Sequence, residues 1–315
     1  MGINSEQLLL DASNECDRIC DFIRNSTRQL KRRGLVVAVS GGIDSAVCLA
    51  LACRALGPDK VIALMLPENQ STSNSTELAK ELCERYQVQY HAEDISSALE
   101  ALGCYRQQSE AIQRVFPDFT QAQAFKLVIA PESKLASYHL VVEIDGEQIH
   151  ERCPADVFRQ IIAATNHKQR LRKGSEYYHA EKEHYAVIGT PNLLELELGF
   201  FVKAGDGIAD IKPIAHLYKT QVFQLAEYLN VPDSICSAQP TTDTFSLEQS
   251  QEEFFFRVPY QTMDIALHAI NNKLAESEIC QLLDMSTNQT QQLLNHIHNT
   301  KRAAYYQRSP ALTLS

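Results

Sequence analysis

One junction constrains this chain of 315 residues more than any other, because a short β-branched run at 35–39 passes directly into Ser-Gly-Gly-Ile-Asp-Ser at 40–45. A continuous apolar run of that length is typical of a strand buried on both faces of a parallel sheet. The apolar pattern after the junction predicts a helix to about residue 55. The sequence therefore predicts a strand, a tight loop and a helix in immediate succession.

The alternation of strand and helix is repeated along the first hundred residues. Apolar runs at 61–66, 88–91 and 185–189 predict three more strands, and a helix that ends near residue 86 follows the polar loop 67–75. Short strands alternating with helices indicate right-handed β-α-β units. We therefore expect an α/β fold with a doubly wound, mostly parallel sheet. Further helices are predicted at 5–33, 154–182, 217–229, 260–270, 276–283 and 287–298.

The alternation is interrupted between about 104 and 160. Strands are predicted at 125–130 and 139–144, and Asp145-Gly146 is a typical β-hairpin turn. A β-hairpin inside an α/β chain is most simply an inserted excursion. Because a long connection in a compact domain is usually functional, this insertion is a candidate lid, substrate-specific wall or subunit contact. We expect residues 1–315 to form a single domain that carries it.

Residues 40–45, here called the phosphate loop, have the chemistry of an anion site. Gly41 and Gly42 allow close backbone approach, so that successive N–H groups and the start of the next helix point at an anion. Ser40 and Ser45 add hydroxyl donors. Asp44 would repel a bare phosphate, which suggests a bridging Mg²⁺. The loop lacks the lysine of a Walker A motif and is too short for Gly-x-Gly-x-x-Gly; a ligand-free tight turn is the structural alternative.

This loop resembles the Ser-Gly-Gly-x-Asp-Ser signature of the N-type ATP pyrophosphatases, the PP-loop superfamily. The resemblance implies an adenine nucleotide alpha hydrolase-like fold, with ATP as co-substrate and Mg²⁺ as cofactor. It also implies activation of a carboxylate or carbonyl by adenylation, with release of pyrophosphate. An amine or sulfur nucleophile then displaces AMP.

Later segments are similar to ammonia-dependent NAD synthetases in particular. Residues 189–213 resemble the block Gly-Thr-x-Asn-x-x-Glu…Gly-[Tyr/Phe]-Phe-x-Lys-x-Gly-Asp-Gly-x-x-Asp, and the segments 65–75, 217–221 and 240–243 also match. The resemblance covers roughly 10–95 and 160–305. It implies adenylation of the carboxylate of nicotinic acid adenine dinucleotide, followed by attack of ammonia to give NAD and AMP.

Carried over residue by residue, the resemblance implies a complete set of site residues. The ATP site would comprise Ser40, Gly41, Gly42, Asp44, Ser45, Leu66, Thr190 and Thr241. Catalytic roles fall to Asp206, Lys219, Lys203 and Asp210, the dinucleotide site to Arg170 and Arg172, and the metal to Asp44 and Glu195. Two carboxylates and two fixed cations suit a leaving pyrophosphate and the charge that develops on it. Any one of these residues, taken alone, is more typical of a surface turn.

Three features depart from the family pattern. The apolar pair Leu193-Leu194 follows Asn192, where small or polar residues are usual, and we expect it to change the lining beside Glu195. The insertion at 104–160 replaces a short connection. The triplet Phe254–Phe256 is more typical of a core or an interface than of a ligand platform.

These departures leave three hypotheses open. The chain is a divergent NAD synthetase, a paralogue that amidates a different carboxylic acid in a specialised pathway, or a nucleotide-binding protein without turnover. The presence of Asp44, Glu195, Lys203 and Lys219 together argues against the last, because a passive binder does not need the full set of metal ligands and cations.

The composition of the chain limits the classes of partner and the cellular compartment that we expect. A net charge of -10 disfavours nucleic acid, whose binding needs clustered Lys and Arg. An odd number of cysteines, nine, without a Cys-x-x-Cys pair indicates reduced thiols and a cytoplasmic protein. We find no signal peptide and no membrane-spanning run.

The resemblance to NAD synthetases further implies a homodimer with the dinucleotide site at the subunit boundary. The 34 residues before the first predicted strand are too few for a glutaminase domain. We therefore expect ammonia to be free or supplied by a separate glutaminase.

Overall fold

Four parallel strands form the central sheet of the computed structural model, which describes residues 6–129, 138–238 and 244–314. In chain order these strands are β1 (Leu35–Ala38), β2 (Val61–Met65), β3 (Gln89–Ala92) and, after the insertion, β7 (Ala186–Ile188). Their order in the sheet is β3-β2-β1-β7, with Leu35 opposite both Val61 and Ala186. The predicted α/β class and the mostly parallel sheet are confirmed.

All the predicted helices are present, and the structure adds shorter ones that were not predicted. They are α1 (Ala12–Gln29), α2 (Ile43–Leu56), α3 (Ser73–Arg85), α4 (Ser96–Ala101), α5 (Cys104–Ile112), α6 (Ala155–Glu183), α7 (Leu193–Leu198), α8 (Lys219–Tyr228), α9 (Asp233–Cys236), α10 (Tyr260–Asn271), α11 (Glu276–Leu283), α12 (Thr287–Ala303) and α13 (Tyr305–Arg308). Short 3-10 turns lie at Glu6–Leu8 and Pro58–Lys60, and a π-helical turn at Glu252–Phe256. No helix among the described residues is long and apolar enough to cross a membrane.

The first helix is shorter than the predicted 5–33. Asp11 accepts a hydrogen bond from the backbone N–H of Asn14, which starts α1 at Ala12. At the other end Lys31 adopts a positive φ of 56°, which ends the helical path. The basic residues 31–33 therefore lie beyond the helix.

Burial explains why β1 and β2 are continuous apolar runs. Their residues are enclosed between α1, α2 and α8 on one face and α6 on the other. Strand β1 lies between β2 and β7. The chain first places β2 on one side of β1 and later returns to place β7 on the other side, so the strand order reverses at β1. Ligands in open α/β sheets bind at such a switch point, outside the carboxyl ends of the strands. The phosphate loop and the segment after β7 both emerge there.

The insertion forms a second, antiparallel sheet of β4 (Phe125–Ile129), β5 (Tyr138–Ile144) and β6 (Glu147–Arg152). The Asp145-Gly146 hairpin is confirmed, with positive φ at both residues. Helix α5, which the sequence analysis did not predict, packs beside the first half of α6. The apolar faces of these elements form a separate core, so the insertion is a folded unit rather than a loop.

The C-terminal helices α10, α11 and α12 pack with α7 around a further apolar cluster. Leu194 is fully buried in this cluster and Leu193 packs against it. The expectation that this pair changes the lining beside Glu195 is therefore wrong. The pair lies on the side of α7 that faces the C-terminal helices, and its apolar character serves their packing.

Candidate active site

The phosphate loop is closed by its own serines. The Ser45 hydroxyl donates to the carbonyl oxygen of Gly42 at 2.9 Å and accepts from the backbone N–H of Ser40 at 3.2 Å. Gly41 has a φ of +82°, and a Cβ atom there would lie 2.5 Å from the carbonyl oxygen of Ser75. Only glycine fits this position, because the loop lies directly against the first turn of α3.

Helix α2 begins at Ile43 without a side-chain cap, since the residue before it is Gly42. The first amide groups of a helix need acceptors, and the helix dipole places partial positive charge on them. These amides face a cavity of about 860 Å³ that the whole phosphate loop lines. This end of the cavity therefore has the groups needed to bind an anion such as a phosphate.

Three elements meet at the carboxylate of Asp44. Asn192 caps α7 by accepting from the backbone N–H of Glu195 at 3.1 Å, and its amide nitrogen donates to Oδ1 of Asp44 at 3.0 Å. The Glu195 carboxylate completes the capping box by accepting from the backbone N–H of Asn192. Lys219, in the first turn of α8, forms an ion pair with Oδ2 of Asp44. The fold thus brings Asp44, Glu195 and Lys219 into one cluster.

The charges of this cluster perturb one another. Burial, followed by repulsion from the Asp44 carboxylate, raises the pKa of Glu195 to about 8. Burial alone would lower the pKa of Lys219, but attraction to Asp44 and Glu195 outweighs it and the pKa is raised. Two carboxylates that repel each other in a cavity form a suitable donor set for a divalent cation. Mg²⁺ typically takes one or two protein carboxylates and completes its shell with water and substrate phosphates.

A buried aspartate that the sequence analysis missed supports this cluster. Asp264 of α10 accepts a hydrogen bond of 2.7 Å from the backbone N–H of Thr220, directly after Lys219. Burial raises the pKa of Asp264 to about 6. The signal in the sequence was a single acidic residue within the apolar stretch 263–267. Asp264 anchors the start of α8 and so holds Lys219 in place.

A smaller cavity of about 160 Å³ adjoins the phosphate loop at the carboxyl ends of β1 and β2, and Leu66 and Thr190 line it. Arg172 also lines it and donates to the carbonyl oxygen of Leu66 at 3.1 Å. Lys173 and Glu176 form a buried ion pair of 2.7 Å at the same place. This pair was not among the predicted site residues. Its signal in the sequence is the presence of two charged residues on the buried face of α6.

Asp206 lines both cavities and so links them. Its carboxylate accepts from the backbone N–H of Val202 at 2.6 Å, and burial raises its pKa. A carboxylate that retains protons more readily than usual is suited to proton exchange with a substrate.

Three residues predicted for the site, Lys203, Asp210 and Arg170, are not brought to it. The Lys203 ammonium donates to the carbonyl oxygens of Tyr306 and Ser309 at 2.8 and 2.9 Å. Asp210 accepts from the backbone N–H of Val187 at 2.8 Å, at the edge of the sheet. Arg170 is exposed, with Nε 3.4 Å from the carbonyl oxygen of Lys203. Thr241 lies outside the described residues.

The other end of the large cavity is aromatic. We call it the aromatic chamber; its rings are Tyr138, Phe158, Phe200, Phe245, Phe254 and Phe255. Phe256 is fully buried, as expected for a core residue, whereas Phe254 and Phe255 line the cavity. All three rings contact an apolar core cluster, as the sequence predicts, and two of them also border the cavity.

A buried polar network lies between the two ends of the cavity. The Lys168 ammonium donates to Glu68 at 3.0 Å, to Gln70 at 2.6 Å and to the carbonyl oxygen of Thr244 at 2.9 Å. Tyr105 donates to the other oxygen of Glu68 at 2.8 Å. Burial lowers the pKa of Lys168. The network joins the loop after β2, the insertion and the segment after residue 243.

Comparison with known proteins gives consistent results. A family model described as NAD synthase matches residues 15–125 and 118–310. The chain is 46% identical over 307 residues to a Rhizobium rhizogenes protein named NH(3)-dependent NAD(+) synthetase, which covers 96% of this chain and 92% of that protein. The protein of that name from Mesorhizobium japonicum is 47% identical over 304 residues, covering 95% of each.

The structure of NMN synthetase from Francisella tularensis has the same overall fold. It matches with a TM-score of 0.68 and 25% identity over 97% of this chain and 99% of that one.

Proposed function

The chain belongs to the NAD synthase family, and from that premise we propose that it amidates nicotinic acid adenine dinucleotide with ammonia in an ATP-dependent reaction. The products are NAD, AMP and pyrophosphate. The observation that carries this proposal is the meeting of the phosphate loop, Asp44, Glu195 and Lys219 at one end of a large cavity.

In the first step a carboxylate oxygen of the acid attacks the α-phosphorus of ATP. The bond from that phosphorus to the bridging oxygen breaks, and pyrophosphate leaves. The amides of the phosphate loop and the start of α2 hold the phosphates, and Lys219 offsets the charge that grows on the leaving group. We assign Ser40, Gly41, Gly42, Asp44 and Ser45 to this step.

Asp44 and Glu195 are the residues that would hold Mg²⁺, which when bound neutralises pyrophosphate charge. Their mutual repulsion favours such a cation. The Asn192 amide keeps Asp44 oriented, because it fixes one carboxylate oxygen while the other faces Lys219.

In the second step ammonia attacks the acyl carbon and AMP leaves with the bonding electron pair. An ammonium-like intermediate must lose a proton. We assign its acceptance to Asp206, which lines both cavities and has a raised pKa. No protein nucleophile is required, so the chemistry leaves the cysteines unused.

The remaining assignments rest on residue type and position. Leu66 and Thr190 line the smaller cavity, which suits the adenosine of ATP. Arg172 lines both cavities and suits the acid dinucleotide. Thr241 as a phosphate ligand and Arg170 as a dinucleotide ligand follow from the family pattern alone. Lys203 and Asp210 make contacts outside the cavity, so we assign catalysis to Lys219 and Asp206 first.

For the whole molecule we propose one NAD synthetase-like unit over residues 1–315 with the insertion at 104–160. We propose a cytoplasmic homodimer that takes ammonia directly or from a separate glutaminase. Size-exclusion chromatography with light scattering tests the dimer.

The deciding experiment combines purified protein, ATP, Mg²⁺, ammonium and nicotinic acid adenine dinucleotide, and measures NAD and pyrophosphate. We expect both products in equal amounts. Nicotinic acid mononucleotide is the second acid to include, because the Francisella protein of the same fold is named NMN synthetase. ATP cleavage with only another acid would favour a paralogue, and no pyrophosphate with any acid would favour a binding protein.

A further inference from the structure

Asp206 lies on a tight turn of residues 202–208, here called the Asp206 turn. The carbonyl oxygen of Val202 accepts from the backbone N–H of Gly205 at 2.9 Å, and the N–H of Val202 donates to the Asp206 carboxylate at 2.6 Å. Ala204, at the tip, has a positive φ of 60°, a conformation that costs free energy for any residue with a Cβ atom. Such a backbone persists only where the surrounding contacts hold it.

Lys203, next to this tip, holds the turn from outside the cavities. Among the residues that the structure describes, Lys203 is not part of the lining of either cavity. Its ammonium donates to the carbonyl oxygens of Tyr306 and Ser309, and it lies 4.3 Å from the centre of the Tyr306 ring, which is a cation–π contact. One cation therefore makes three contacts with residues 305–309, here called the C-terminal segment.

The sequence explains why the Tyr306 carbonyl needs a donor from elsewhere. In a continuing helix this carbonyl would accept from the backbone N–H of residue 310, but residue 310 is a proline and has no N–H. Helix α13 accordingly ends at Arg308, and the last carbonyl groups of a helix have no partner within it. The Lys203 ammonium supplies the donor that the backbone lacks at this point.

The C-terminal segment is itself anchored on α7 and the residue after it. Ala304 packs so closely on Gly199 that a Cβ atom at Gly199 would lie 2.4 Å from the Ala304 Cβ atom. Arg308 donates to the carbonyl oxygen of Glu197 at 3.3 Å, and Lys301 of α12 forms an ion pair with the Glu197 carboxylate. The segment that Lys203 contacts is therefore a fixed support for the Asp206 turn.

We propose that Lys203 is a positioning residue, which ties the Asp206 turn to the C-terminal segment and so sets the place of the Asp206 carboxylate in the cavity. The proposal rests on the proposed function. In its second step an N–H bond of the ammonium-like intermediate breaks and an O–H bond forms on the Asp206 carboxylate. A displacement of about 1 Å can lower the rate of such a step roughly 100-fold. Loss of the tie should therefore slow the ammonia step and leave adenylation intact, in contrast to a cation that acts directly on phosphate.

The test follows the two steps separately in the full chain. The protein is mixed with ATP, Mg²⁺ and nicotinic acid adenine dinucleotide, and pyrophosphate release is followed; ammonium is then added and NAD formation is followed. For Lys203→Met we expect pyrophosphate release within about twofold of the wild-type rate and NAD formation slowed about 100-fold. Lys203→Arg keeps a cation with several donors, so it should recover most of the rate of NAD formation.

Lys182→Met is the matched control, because Lys182 is an exposed lysine of α6 outside the lining of both cavities. Both of its rates should equal those of the wild type. Thermal unfolding checks that each variant is folded. Lys203→Gln keeps an amide donor without the charge and serves if Lys203→Met fails to fold; we expect a smaller fall, again in the ammonia step alone.

Three results would overturn the proposal. Slower pyrophosphate release with a normal ammonia step would assign Lys203 to the phosphate chemistry. An equal loss in both steps would reduce it to a general structural role, and unchanged rates in a folded Lys203→Met variant would leave it without a role. The proposed function fails separately, if the wild type forms no NAD, whereas the positioning role fails while the wild type still forms NAD.

Discussion

The two ends of the large cavity are built in different ways. The phosphate-loop end consists of polar groups in the first turns of α2, α7 and α8, so each group is positioned by a short local motif. The aromatic chamber consists of rings that come from β5, α6, the segment after α7 and residues 245–255. The polar groups at the phosphate-loop end are therefore positioned by local motifs, whereas the aromatic chamber depends on contacts between distant parts of the chain.

The largest expected effect is at the phosphate-loop end. Asp44→Ala removes the partner of Lys219 and Asn192 and one carboxylate of the proposed metal site, and we expect kcat for pyrophosphate release to fall about 10³-fold. Because Lys219 then lies buried without this partner, we expect a lower melting temperature by calorimetry but a folded protein. Unfolding of Asp44→Ala would show instead that residues 40–45 are a structural turn.

The second expected effect is a loss of stability when the buried polar network around Lys168 is broken. Lys168→Met leaves the Glu68 carboxylate buried without its cation, and we expect the free energy of unfolding to fall by about 3–5 kcal/mol in denaturant titrations. The double variant Lys168→Met/Glu68→Gln should recover part of this loss. Lys80→Met, which breaks an exposed pair with Glu77, is the control and should change nothing. A Lys168→Met variant as stable as the wild type would mean that the two ends are not joined through this network.

The third effect is a pH dependence confined to the phosphate-loop end. The pKa of Asp264 is about 6 in the folded protein, against 3.8 for an ordinary aspartate. A raised carboxyl pKa means that the folded state binds more protons, so stability is lost as pH rises from about 4 to about 6. Asp264→Asn should therefore gain up to about 3 kcal/mol relative to the wild type between pH 4 and pH 7.

The measurement is the difference in unfolding free energy between the two proteins at each pH. A difference that is constant across this range would contradict the raised pKa of Asp264 in the folded protein.

The smallest effect separates two roles of Asn192. Asn192→Ala loses both the cap of α7 and the contact with Asp44, and we expect it to lower stability by about 1 kcal/mol. Asn192→Ser keeps a capping oxygen but lacks the amide donor, so it should keep the stability and lose only activity, about tenfold in kcat. Equal stability loss in both variants would show that the amide contact also holds the fold.

What the sequence predicts also differs between locally encoded features and those that depend on distant contacts. The fold class, the positions of the main strands along the chain and the hairpin are confirmed, because apolar periodicity and turn residues are local properties. The grouping of Asp44, Glu195 and Lys219 was expected from the resemblance to NAD synthetases, and the structure brings the three side chains together. Their catalytic roles stay predictions.

The remaining features could not be read from local patterns. The network around Lys168 joins residues a hundred positions apart, and Phe254 lines a cavity because Tyr138 lies opposite it. The contacts of Lys203 with Tyr306 and Ser309 likewise depend on where the C-terminal helices pack. A residue type indicates what a side chain can do, but the partner that it meets is decided by the tertiary structure.

The pairing of β4 with residues 244–250 has a consequence for how the molecule is made. Phe125 and Ser246 are 121 positions apart in the chain. At a synthesis rate of 5–20 residues per second, β4 leaves the ribosome roughly 6 to 24 s before the segment that covers its edge. During that interval β5 can pair with one edge of β4, but the backbone groups of the other edge stay unpaired, and such an edge is prone to aggregation. We therefore expect chaperones that shield strand edges to raise the yield of folded protein.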